Sequence, residues 1–161
     1  SAGMPSDAIA RRRPTAMPHV AFHILDGSGD HERLVYTCRV AEKAFQRGHR
    51  VHLRVADEAM AGELDQLLWT FRDRSFVPHA RIDEPGNELE PVMIGIGDVA
   101  PDGASDVLVN LAPEAWSQPE SFERIVEIGN NDPQVLRNAR CRYRWYRERG
   151  LEPEHHTVGG T

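Results

Sequence analysis

The sequence predicts a single α/β domain in which a mainly parallel sheet is flanked by helices. Three observations carry that prediction. Strand-period and helix-period segments alternate through the first half of the chain, further apolar strands follow, and a last helix closes the order. The 161 residues are enough for one hydrophobic core. Parallel pairing and right-handed crossovers follow for strands joined through helices.

Taken in order, Val20, Phe22 and Ile24 alternate with His19, Ala21 and His23 as a strand does. Asp30 is placed to cap a helix with Leu34, Cys38, Ala41 and Phe45 on one stripe, and Gly48 to stop it. Arg50 to Val55 alternates again as a second strand. Asp57 is placed to cap a second helix carrying Met60, Leu64, Leu67 and Phe71. Arg72 to Gly86 reads as a Pro-containing connection. Val92 to Ile96 and Val107 to Leu111 read as two apolar strands, and Phe122 to Ile128 as another. Asp132-Pro133 opens the last helix, because a proline in the first turn loses no helical hydrogen bond, and Gly150 closes it. Residues 1–17, polar and Pro-punctuated, read as a disordered tail, 18–151 as the domain and 152–161 as a flexible tail. Ser1-Ala2-Gly3 ahead of Met4 reads as an expression remnant, and Met17 as an alternative start.

Composition narrows the function. No apolar run approaches a membrane span and no secretory h-region is visible. Net charge is −6, which argues against nucleic acid as a partner over the whole surface. Cys38 and Cys141 form no disulfide framework and suit a reducing cytoplasm.

Several motifs point to chemistry and fall short of it. Gly27-Ser28-Gly29 follows the first strand where a dinucleotide-binding loop would lie, but Glu32 stands in the third glycine's place and would face the phosphates. A plain strand-to-helix turn fits better. There is no Walker A sequence. The eight histidines have no partners at zinc-site spacing, so no metal is expected. Ser75, His79 and Asp83 could meet in space, yet no nucleophile elbow accompanies them. No cofactor and no catalytic residue are expected.

The last helix differs. Between Pro133 and Gly150 it holds six arginines and one acid, a charge of +5 that leaves −11 for the remainder. At 100° per residue Arg137, Arg140, Arg144 and Arg147 fall within about 80°. Leu136, Ala139, Tyr143, Tyr146 and Gly150 form the adjoining stripe, the face to pack on the sheet. Guanidinium groups beside tyrosine suit an anion that also carries an apolar group, such as an acidic peptide ending in a hydrophobic residue. Nucleic-acid phosphates are the rival ligand, and a solvated basic face is the plain alternative. A second cluster, Leu68-Trp69 with Ser75-Phe76-Val77-Pro78-His79, is either a satellite cluster packing a loop or an exposed apolar anchor for a partner.

These residues carry a resemblance. In this order and spacing, Leu68-Trp69, Ser75-Phe76-Val77-Pro78-His79 and Ala139-Arg140-x-Arg142-Tyr143-x-x-Tyr146-Arg147-x-x-Gly150 resemble the chi-subunit family of bacterial DNA polymerase III, from about Val20 to Leu151. Phe22-x-x-Leu25 and Arg50-Val51 agree with it. The resemblance implies a Rossmann-like domain without catalytic activity, an adaptor of the clamp-loader assembly that reaches DNA indirectly in the cytoplasm. It implies a site for the acidic, aromatic-ended C-terminal tail of single-stranded DNA-binding protein. Carried over by position, Arg140 and Tyr143 form its centre and Arg137, Arg144 and Arg147 support them. Gly129 stands where the best-known member has a valine lining the tail's apolar pocket. A second family site, for the psi subunit or a helicase-like competitor, carries over to Trp69, Phe76 and Pro78. The alternatives are a direct single-stranded nucleic-acid binder and a nucleotide-binding Rossmann-like enzyme.

Overall fold

The computed structural model describes residues 17–72, 76–83, 90–99 and 105–159. Among the described residues seven strands form one sheet: β1 (His19–Leu25), β2 (Val51–Val55), β3 (His79–Arg81), β4 (Val92–Ile96), β5 (Val107–Asn110), β6 (Arg124–Gly129) and β7 (Glu154–Val158). Their spatial order is β3-β4-β2-β5-β6-β1-β7, and every pairing is parallel. Helices α1 (Asp30–Gln46), α2 (Glu58–Thr70) and α3 (Pro133–Glu148) complete the Rossmann-like layering.

The layers follow from the side chains. Val51, Leu53, Val55, Ile94, Val107, Val109, Val126 and Ile128 face α1 and α2, meeting Leu34, Cys38, Ala41, Leu64 and Leu68 in one core. Val20, Phe22, Ile24, Leu108 and Ile125 face the other way and meet Ala139 and Tyr146 of α3, with Trp116 and Phe122, in a second core. Apolar residues on both faces are what a parallel sheet covered on both sides requires.

Helix ends come close to the reading of the sequence. The Asp57 carboxylate accepts from the Met60 N–H at 2.9 Å. Asp132 accepts from the N–H groups of Gln134 and Val135, both at 3.1 Å, with Pro133 beginning α3. Gly48 and Gly150, both at φ of 85°, end α1 and α3. The cap of α1 falls on Gly29, one residue earlier than expected, and Asp30 is the first helical residue.

Three boundaries differ. The connection after Arg72 contains β3, a three-residue strand too short to show a period. The sixth strand begins at Arg124, because Pro119–Ser121 forms a 3-10 turn and Phe122 caps it. The segment expected to be a flexible tail after residue 151 instead forms β7. Leu151 and Pro153 are buried. β7 then pairs with β1, where the Asp26 N–H donates to Val158 O at 3.1 Å and His19 Nε2 contacts Glu154 Oε2 at 2.7 Å. Backbone pairing holds the strand, so its polar side chains gave no strand signal. The expected disordered tail lies outside the described residues except for the exposed Met17.

Candidate peptide-binding groove

The geometry of α3 sets the spaced arginines beside a groove. Its inner face is fixed by Ala139, Arg142 and Tyr146, all buried against the sheet. Arg137, Arg140, Arg144 and Arg147 stand exposed along one border. Beside that border runs a groove of about 420 Å³ whose lining is Phe22 and Ile24 of β1, Leu136, Ala139, Arg140, Tyr143 and Arg144 of α3, and His155 of β7. The floor is apolar, two guanidinium groups sit on one wall, and an imidazole sits on the other. Tyr143 packs on Phe22 with ring centroids 5.6 Å apart.

The structure brings Arg140, Tyr143 and Arg144 into one groove. Arg137 and Arg147 flank it on the same ridge without lining it, and Arg137 donates to Gln134 Oε1 at 2.7 Å. Among the described residues no acid pairs with any of these four arginines. Gly129 lies beneath: a Cβ there would stand 2.9 Å from Ile24 Cδ1 and near Ala139 and Val135. Ile24 thus fills the floor where a larger residue at 129 would reach. Sequence pattern alone does not point to His155, which reads as part of a tail.

A second cavity, about 630 Å³, is larger but chemically mixed. Asp26 and Glu32 share it with His31 and Arg39, so it offers no net positive charge to an anion. The nearby switch point, between the C-terminal ends of β1 and β6, is where nucleotides bind in open α/β sheets. Here it is bridged: Asn131 N–H donates to Gly27 O at 2.9 Å, Asn131 Nδ2 to Asp26 O at 2.7 Å and Asn130 Nδ2 to Gly29 O at 3.2 Å. The Glu32 carboxylate folds onto Gly29, placing a negative charge where a phosphate would need the helix N-terminus.

The second cluster is at the surface. Trp69 is 51% and Phe76 64% exposed, with ring centroids 5.9 Å apart, while Trp69 also packs at a tilt on His79 at 4.6 Å. Pro78 is half-buried beside them. His79 is held by Val77 O at 2.7 Å and lies 3.1 Å from Asp65, whereas Asp83 accepts from Arg81. The imagined Ser75–His79–Asp83 grouping therefore lacks its His–Asp contact, and Ser75 lies outside the described residues. No His, Cys, Asp and Glu cluster among the described residues could hold a metal.

Comparison with known proteins decides the family. The profile of the DNA polymerase III chi subunit, HolC, matches residues 17–154. The chain belongs to the DNA polymerase III chi-subunit family. It is 37% identical over 142 residues to DNA polymerase III subunit chi of Pseudomonas aeruginosa, covering 88% of this chain and 98% of that one. It is 29% identical over 141 residues to the chi subunit of Escherichia coli K12, covering 84% and 95%. Among solved structures, that of T4 UvsW shares the fold at a TM-score of 0.63 with 9% identity, over 91% of this chain and 43% of that one. Membership makes the chain an accessory, non-catalytic subunit in DNA replication. No helix among the described residues is long and apolar enough to cross a membrane.

Proposed function

We propose that this chi-family chain is a clamp-loader adaptor whose α3 groove grips the acidic C-terminal tail of single-stranded DNA-binding protein. The observation that carries the reading is the juxtaposition of an apolar floor with Arg140 and Arg144, cations that no acid of the described chain neutralises. The tail's terminal aromatic ring enters over Phe22, Ile24 and Leu136. Its carboxylates pair with the guanidinium groups, which bind planar anions by two hydrogen bonds at once. Exposed pairs of this kind are individually modest and screened by salt, so affinity is micromolar and falls as salt rises. Many tails on one coated strand raise the effective grip.

The test is calorimetric titration with a tail peptide. Arg140→Ala and Tyr143→Ala each weaken binding about tenfold, a loss of about 1.4 kcal/mol, with unchanged circular dichroism. Undiminished affinity in both variants contradicts the reading. Strong binding of bare single-stranded DNA by the isolated protein would favour the nucleic-acid rival instead.

The exposed Trp69–Phe76 pair with Pro78 serves in this reading as the second docking surface, for the psi subunit or a helicase-like competitor. Large exposed aromatics of this kind are typical binding anchors. Trp69→Ala with Phe76→Ala abolishes psi capture and leaves tail-peptide affinity within about twofold. Retained psi capture by that double variant removes the assignment.

A further inference from the structure

Between the sheet and α3 lies a buried polar chain that the docking sites do not use. Glu127 of β6 is fully buried, with 0% of its surface exposed. Its carboxylate accepts from Arg142 Nε at 2.7 Å, from Tyr146 OH at 2.5 Å and from Asn110 Nδ2 at 3.0 Å. Arg142 also donates to Pro113 O at 3.0 Å. On the far side of Asn110, Arg54 reaches Glu114 O at 2.6 Å, Gly97 O at 2.9 Å and Asp98 at 2.9 Å. The chain thus ties β2, β5 and β6, the segment after β5, and α3 together.

A buried ion pair is weak support for stability, because the cost of removing both charges from water offsets most of their attraction. Its better-attested use is to specify one arrangement among several of similar energy. Helix α3 has need of that. Of its large apolar groups only Tyr146 is fully buried: Leu136, Tyr143 and Trp145 are partly so, and Ala139 is small. A slight rotation about the helix axis would carry Arg140 and Arg144 away from the groove. Glu127 opposes that rotation, since Arg142 and Tyr146, one turn apart, each hold a different oxygen of the same carboxylate. The same residues brace the groove floor. The Arg142 guanidinium lies 6.0 Å from the Phe22 ring centroid, and Tyr146 meets Phe22 edge-on at 5.9 Å.

We infer that Glu127, with Arg142 and Tyr146, is a positioning clamp that fixes the rotation of α3 and so presents Arg140, Tyr143 and Arg144 to the ligand in the groove. The inference deepens the proposed function and, for its ligand, rests on it. None of the three clamp residues lines the groove.

The test compares the full-length protein with Tyr146→Phe, with the shape-conserving pair Glu127→Leu and Arg142→Met, and with Leu64→Ala, which weakens the opposite core. Two quantities are measured on each: residual dipolar couplings reporting the angle of α3 to the sheet, and calorimetric affinity for an acidic peptide with a C-terminal aromatic residue. The clamp predicts altered α3 couplings and about tenfold weaker binding in the pair, a smaller change of the same sign in Tyr146→Phe, and neither change in Leu64→Ala. Native couplings in a folded pair overturn the inference. Should the pair fail to fold, Tyr146→Phe decides alone by the same couplings. Absence of peptide binding by the unaltered protein would instead sink the proposed function, while the couplings still judge the clamp.

Discussion

His52 sits in mid-β2 with both ring nitrogens unpartnered, its ring 5.5 Å from Trp116 and 6.3 Å from Phe122. Burial, reinforced by the nearby Arg54 charge, lowers its pKa to about 4 from an ordinary 6.5. The folded state therefore holds this imidazole neutral. As pH falls from 6.5 toward 4, the unfolded chain takes up a proton that the folded chain refuses. The contribution of His52 is present above pH 6.5 and declines through that window, by roughly 3 kcal/mol at its lower end. His23, lowered by burial and by His156, adds in the same direction. We predict that His52→Leu flattens the urea midpoint between pH 7 and 4.5. An acid loss identical to that of the unaltered protein contradicts this. Among eight histidines nothing in the sequence singles out His52, because its burial is set by Trp116 and Phe122 from distant segments. Arg142 was likewise unreadable: spacing gives its angle on the helix, and only the fold supplies Glu127.

At the scale of elements, helix termini were legible and strand edges were not. Asp57, Asp132, Gly48 and Gly150 act through local geometry, which a sequence records directly. β3 and β7 are made by pairing with β4 and β1, which a local pattern does not record. Two substitutions test this scale. Asp132→Ala removes the acceptor for two N–H groups at the start of α3 and costs about 1 kcal/mol in chemical denaturation. Gly95→Ala places a Cβ 2.5 Å from Ile82 Cδ1 and 3.1 Å from both His52 Cε1 and Val99 O, costing about 1–3 kcal/mol. A neutral result at Gly95 would mean that β4 and its neighbours separate more easily than the packing implies.

At the scale of the molecule, the sheet's two exposed margins serve different surfaces. The β1–β7 margin carries the groove, and the β3 margin with α2 carries Trp69 and Phe76. In the proposed reading the two docking surfaces therefore lie at opposite margins of the sheet. The arginine stripe was legible from spacing, and with it the cationic wall of the groove. The opposite wall was not, because it belongs to β7 and its His155. Titration of isotopically labelled protein with an acidic, aromatic-ended tail peptide, followed by backbone amide shifts, shows whether the α3 groove takes that ligand. The largest shifts are expected at Ile24, Ala139, Arg140, Tyr143, Arg144 and His155, with Trp69 and Phe76 unmoved and the shifts reversed by salt. No shifts, or shifts centred on Trp69 and Phe76, would contradict binding in the groove.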